Sequence, residues 1–404
     1  MNFQVSHAFL IMLAAVFLFT VVISRFLIPK LKSLKMGQKI LDIGPRWHKS
    51  KEGTPTMGGL AFIAASLLGT VVLWIVFWAV TGSPLGFLRA AEFLITLLFA
   101  VVSGLIGVID DSVKIRKKQN GGLTAAQKFL LQVGSAVLYV FAMHKCGFID
   151  TTLRIPFFGW EWELGIFYYV IAVILLTGVV NSVNLTDGID GLAATETFVV
   201  GAFFSVVAFF AETSFFTALG GYNLSLALGA AVAIGASLGF LVYNFYPARV
   251  FMGDTGSLFL GALVVGCGFM ADNPLIILFA GLMYIIESAS VMLQTTYFKF
   301  TRIRFGEGRR IFKMSPIHHH FEMCGWNEIK IVSVFGIAAL IFCAVTYLLD
   351  YILLRCFIHT NTLNDPKKGE PSDEHQSNKS APHVRTAVPK TKTAGTASNT
   401  GQNA

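Results

Sequence analysis

Ten long apolar stretches leave this chain few possible folds. They lie at roughly 8–29, 57–80, 92–109, 125–143, 164–180, 192–211, 224–243, 257–271, 275–298 and 330–357. A helix needs about 20 apolar residues to cross a hydrocarbon core about 30 Å thick. In lipid every backbone amide must bond within the protein, so continuous apolar runs become helices. A membrane barrel would instead alternate apolar and polar residues in short segments. The expected fold is an all-α polytopic membrane protein of about ten transmembrane helices. The 404 residues are 54% hydrophobic and 13% charged, a balance that no soluble domain of this size needs.

The basic residues give an orientation. Loop 30–54 holds seven Lys and Arg, loop 110–128 five, loop 244–256 one and loop 299–330 seven. The loops on the other side hold only Arg89, Lys145 and Arg154. Cytoplasmic loops carry the excess of Lys and Arg. The first set is therefore expected in the cytoplasm and both termini outside it. The net charge is +8, but the basic excess is concentrated in particular loops, so it is not a nucleic-acid signal. The five cysteines form no CxxC pair, which gives neither a disulfide framework nor a zinc site. The first stretch lacks a small-residue cleavage pattern and is expected to be a retained span. Residues 151–164 alternate around Phe158-Gly159 and are expected to form a small extracytoplasmic β-hairpin. The membrane domain is expected over 1–357. The polar tail, 358–404, is expected to be disordered.

Four polar motifs fall on the cytoplasmic side of this topology. The run Phe93–Ile109 ends in Asp110-Asp111, with Lys114 one turn on. Charge is costly at the bilayer centre and cheaper at its edge, so this pair is expected where a membrane helix meets water. Asn184-Leu-Thr-Asp-Gly-Ile-Asp-Gly191 follows the fifth span, and Phe251-Met-Gly-Asp254 precedes the eighth. Ser315-Pro-Ile-His-His-His-Phe-Glu322 follows the ninth.

Each motif also has an ordinary reading. Asp110-Asp111 can be a solvated helix end, Asp187-Gly188 a plain turn, and Asp254 a helix cap. Lys51 can simply follow the positive-inside bias. Consecutive His318, His319 and His320 diverge on a helix and cannot easily share one ion. They can be solvated, or can donate to phosphate. Glu287, inside the ninth span, is expected to be a protonated, helix-bonded carboxyl. What favours chemistry is that Asp110, Asp111, Asp187, Asp190 and Asp254 all gather on one face. Two anionic groups held at the membrane boundary, with a lysine one turn on, are suited to a divalent metal and phosphate, and magnesium takes one or two carboxylates.

At these motifs, together with Thr54-Pro-Thr-Met-Gly-Gly59, the chain resembles the polyprenyl-phosphate N-acetylhexosamine-1-phosphate transferase superfamily. The resemblance covers about residues 1–357. The triple-histidine block is similar to the branch that handles muramoyl-pentapeptide.

The resemblance implies a reaction in which undecaprenyl phosphate attacks the β-phosphate of UDP-N-acetylmuramoyl-pentapeptide and UMP leaves. It implies a Mg2+ cofactor, a cytoplasmic cleft in the bacterial inner membrane, and a homodimer. Carried onto this sequence, Asp110, Asp111, Asp254 and His318 are the expected catalytic residues, with Asp254 the metal ligand. Lys51, Thr56, Lys114, Lys128, Asn184 and Asp187 are expected to bind substrate. So are Gly188, Ile189, Asp190, Asn244, His319 and His320, with Phe251 stacking on uracil.

Two mechanisms stay open. One is direct attack, with inversion at phosphorus. The other is a covalent aspartyl-phosphate, with retention. Two other functions also stay open: the same chemistry on UDP-N-acetylglucosamine, and an ion-coupled transporter. A transporter would place its carboxylates near the midplane on broken helices.

Overall fold

The computed structural model describes residues 5–34, 51, 53–83, 87, 90–117, 121–210 and 223–363, with side chains to 350. The tail expectation for 358–404 lies almost wholly outside these residues, as does most of the basic loop 35–50. Of the described residues 79% are helical. Its helices are α1 (Val5–Ser33), α2 (Gly59–Thr81), α3 (Ala91–Lys117), α4 (Ala125–Lys145), α5 (Ile166–Thr186) and α6 (Leu192–Phe210). They continue with α7 (Leu224–Asn244), α8 (Gly253–Met270), α9 (Ile277–Ala280), α10 (Leu282–Phe305), α11 (Ile317–Met323) and α12 (Glu328–Leu363). Among the described residues nine helices are long and apolar enough to cross a membrane, or ten if the bent pair around Gly281 counts as one span.

That bend departs from the straight ninth span expected over 275–298. The chain turns by 78° between Pro274–Ala280 and Leu282–Phe305. Gly281 closes α9 with its N–H on the Ile277 carbonyl, and an apolar run hides such a break from hydropathy. A second departure concerns Asp110-Asp111. The helix does not end there but continues to Lys117, so both carboxylates project from a continuing helix.

The bundle is built around α8. Every residue from Thr255 to Met270 is buried, as expected of a helix that is apolar all round. It packs on α2, α3, α5 and α7. Glycines bring the backbones close. A Cβ at Gly107 would strike the Asp254 carbonyl, one at Gly59 the Gly256 backbone, and one at Gly261 the Val180 backbone. Small residues at such crossings let membrane helices pack by van der Waals contact.

Strands β1 (Thr152–Ile155) and β2 (Trp160–Glu163) pair antiparallel, with Leu153 opposite Trp162. Arg154 of β1 forms an ion pair with Asp272, just past the C-terminal end of α8. The hairpin and the N-terminus of α8 therefore lie at opposite ends of an 18-residue helix, about 27 Å at 1.5 Å per residue.

Gly107→Ala should overpack the α3–α8 crossing, costing about 1–3 kcal/mol and lowering the melting temperature in detergent. Gly134→Ala is the control, because its added methyl group meets nothing within 4 Å and should not lower it.

Candidate active site

The site begins with the buried N-terminus of α8. The first amides of a helix have no partner inside it. Here Asp111, from α3, supplies one. Its carboxylate accepts from the Thr255 N–H (3.0 Å), the Thr255 hydroxyl (2.8 Å) and the Asp254 N–H (3.3 Å). Gly253 makes room for this, with φ +68° and Asp111 packed where a side chain would lie. The capping task considered for Asp254 thus falls to Asp111, from another helix. Asp254 instead points into the site.

Adjacent residues on a helix diverge by about 100°, so Asp110 faces elsewhere. It accepts from the Leu123 N–H at 2.8 Å and pairs with Lys114 at 2.7 Å. Gly122 lies so close that a Cβ there would hit the Asp110 carboxyl. Ligand oxygens of Asp110, Asp111 and Asp254 come within 4.8 Å of one another, the one such group among the described residues. Two ammonium groups offset their repulsion. Lys114 reaches Asp254 at 2.8 Å and Lys128 reaches it at 2.9 Å. Asn184, at the end of α5, donates to Asp254 at 2.8 Å and to Ser257 at 2.7 Å, and accepts from Lys128 at 3.2 Å. Three carboxylates against two ammonium groups leave the cluster net negative. An oxygen-only donor set of this kind fits a hard divalent cation.

Asp187 follows α5 immediately and is half-buried. Burial, and then the charges of Asp254, Asp111 and Asp190, push its carboxyl up to about 8. It therefore shares the field of the cluster.

A second centre adjoins through the turn after α5. Lys51 donates to Asp190 at 2.7 Å and to Glu328 at 2.6 Å. Asp190 also accepts from the Ala248 N–H, and Glu328 from the Asp190 N–H. Lys51 is thus held in a clasp. Asn244 is buried, with its amide spent on the Gly191 N–H and the Val250 carbonyl. It braces the turn and does not reach the carboxylate cluster. Phe251 is half-buried and bonds through its backbone to Pro55. Thr56 lies against Gly253, and Ile189 is buried.

The three histidines do diverge. His318 faces Glu287 of α10 (3.0 Å), His319 faces Glu322 (2.6 Å), and His320 accepts from the Lys313 N–H (3.1 Å). A Cβ at Gly188 would fall on the His318 ring, which joins α11 to the turn 187–191. Glu287 is therefore bonded to an imidazole rather than to its own helix.

Sequence reading missed Glu328 and the pairing of Glu287. Glu328 lies 277 residues from Lys51, and no local pattern links them. Glu287 did carry a signal, as the only charged residue within 275–298. An ionisable group inside a membrane helix implies a partner.

A polytopic helical bundle with an acidic, lysine-balanced basin at one end has the build of a membrane-embedded transferase. The profile of Glycosyl transferase family 4 matches residues 93–271, which include Asp110, Asp111, Asn184, Asp187, Asp190 and Asp254. A phospho-N-acetylmuramoyl-pentapeptide-transferase signature matches residues 51–63. The phospho-N-acetylmuramoyl-pentapeptide-transferase of Clostridium perfringens is 42% identical over 334 residues, 82% of this chain and 93% of that protein. Those of Clostridium novyi and Clostridium acetobutylicum are also 42% identical, each over 82% of this chain and 94% and 96% of their own lengths. The chain belongs to the phospho-N-acetylmuramoyl-pentapeptide-transferase family.

Asp111→Ala should strip the α8 N-terminus of its acceptor and cost more than about 2 kcal/mol, since bonds to a charged group contribute about 1.5–3 kcal/mol each. Thermal unfolding in detergent checks this, and an unchanged melting temperature would show that the α8 terminus does not depend on Asp111.

Proposed function

We infer that the chain transfers phospho-N-acetylmuramoyl-pentapeptide from UDP-N-acetylmuramoyl-pentapeptide to undecaprenyl phosphate. UMP is released and the first lipid-linked precursor of peptidoglycan forms. The observation that carries this reading is the meeting of Asp110, Asp111 and Asp254 with Lys114 and Lys128 at one end of the bundle. A lipid phosphate and a water-soluble nucleotide can meet only at such an edge. The relatives' names favour the muramoyl-pentapeptide donor over UDP-N-acetylglucosamine. We place the site on the cytoplasmic face because of the basic loops beside it. We treat 1–357 as the catalytic membrane domain and the active form as a homodimer.

Phosphoryl transfer is catalysed mainly by positioning and charge neutralisation. We assign the divalent cation as magnesium, held by Asp254 within the oxygen-rich cluster. When bound, it neutralises the diphosphate and stabilises the leaving UMP.

The chain's own groups do the rest. Lys114 and Lys128 carry several N–H donors each and can exchange Asp254 for phosphate oxygens. A phosphate monoester has a second pKa of about 6, so the lipid nucleophile is mostly dianionic at neutral pH without a base. Asp110, paired with Lys114, then serves chiefly to orient that nucleophile through the lysine. The attacking oxygen bonds to the β-phosphorus as the bond to UMP breaks, with inversion at that phosphorus. Asp111 holds α8, and so Asp254, in register. Asn184 fixes the Asp254 carboxylate. The turn carrying Asp187, Gly188, Ile189 and Asp190, with Lys51, Thr56 and Phe251, forms the nucleotide side, and Asn244 braces it through the Gly191 N–H and the Val250 carbonyl. His318, His319 and His320 border the diphosphate.

Asp254→Asn keeps the shape of the side chain and removes its charge. The variant should fold, as judged by an unchanged melting temperature, yet release UMP at under about 1% of the wild-type rate. Losses of 10²–10³-fold are typical when one stabilising group of a reacting centre is removed. Full activity in magnesium would remove Asp254 from the metal site.

A further inference from the structure

Glu287 is a buried acidic group that the chemistry above leaves unused. It sits in α10 with 0% exposure, facing His318 of α11, which is also 0% exposed. The contact is 3.0 Å, from Glu287 Oε2 to His318 Nδ1. An imidazole that donates from Nδ1 to a carboxylate turns Nε2 toward a second partner. Here Nε2 has no hydrogen-bond partner among the described residues, and neither does Glu287 Oε1. Nε2 lies directly beneath Gly188, where an added Cβ would collide with it. Gly188 is itself exposed, so the nitrogen is one backbone thickness from the surface of the turn. A buried polar nitrogen without a partner is costly. That cost disappears if a ligand meets the nitrogen.

We propose that Glu287 is a positioning residue that fixes the His318 ring as an imidazolium paired with its carboxylate, so that Nε2–H donates under the Gly188 turn to the substrate's phosphates. Glu287 touches no substrate and acts only through His318. Substrate reaches Nε2 by displacing the turn at Gly188, which has no side chain to resist it. The proposal rests on the transferase reading, in which His318 borders the diphosphate.

The test is UMP release by the purified full chain, with kcat and KM for the nucleotide separated and the melting temperature recorded for every variant. Glu287→Ala should lower kcat by about 10–100-fold, the scale seen when a partner that orients a metal-ligating histidine is lost. Its KM should stay within about threefold, because an interaction made mainly in the transition state affects kcat. Glu287→Gln, which keeps an acceptor for Nδ1, should recover most of the loss. In a His318→Gln background, Glu287→Ala should cost nothing more, since two residues acting as one unit are non-additive. If Glu287→Ala does not fold, Glu287→Asp replaces it, drawing the acceptor back by one methylene, and an intermediate loss of kcat is expected.

Wild-type kcat in the folded Ala or Asp variant overturns the proposal. So does a loss that simply adds to that of His318→Gln, or a folded Gln variant no better than Ala. Absence of UMP release from the wild type would instead refute the transferase reading itself.

Discussion

The site depends on one carboxylate capping the end of another helix. Helix α8 is buried from its first turn, so its leading amides cannot turn to water. Asp111 accepts from two of them and from the Thr255 hydroxyl. That fixes α3 against α8 at the level where Gly107 lets the backbones touch. Because Asp110 is the next residue and Asp254 leads α8, the same contact brings the second and third carboxylates together. A structural cap and a chemical cluster are therefore one arrangement.

Gathering three carboxylates has an electrostatic cost, and the protein offsets it with lysines whose positions also suit the reaction. Lys114 comes from the next turn of α3 and Lys128 from the first turn of α4; both meet Asp254. These ammonium groups stabilise the basin before any ligand arrives. They are mobile point charges on long stems, so they can pass from carboxylate to phosphate when one binds. The second centre, Lys51 with Asp190 and Glu328, ties residue 51 and the start of α12 to the same turn. The turn after α5 is thereby gripped on one side by this clasp and approached on the other by His318.

Much of this was legible in the amino-acid order because lipid permits so few solutions. Apolar length marked the spans, and the acidic motifs fell at their ends. Asp110, Asp111, Asp254, Asn184, Lys114 and Lys128 do meet. Other features left no local trace. Gly281 sits inside an uninterrupted apolar run, so nothing in hydropathy distinguishes a bend from a straight helix. Asp111 as a cap for α8 joins residues 143 and 144 positions apart, a pairing that no periodicity encodes. Glu328 sits in the first turn of α12, where an acidic group also favours the helix dipole, and no local pattern ties it to Lys51. Asn244 stood among the nucleotide-facing residues in the sequence, yet its amide is consumed in holding the backbone of the neighbouring loop.

Asp110, Asp111 and Asp254, drawn from two distant stretches of the chain, lie close enough to share one cation site. Manganese(II), which prefers oxygen ligands as magnesium does, reports it directly through electron paramagnetic resonance of the purified chain. One ion should bind per chain, weakened at least about tenfold by Asp254→Asn, as losses of 10–100-fold follow even from changes to residues that only orient a ligand. Manganese binding that is unchanged in a folded Asp254→Asn variant would contradict it.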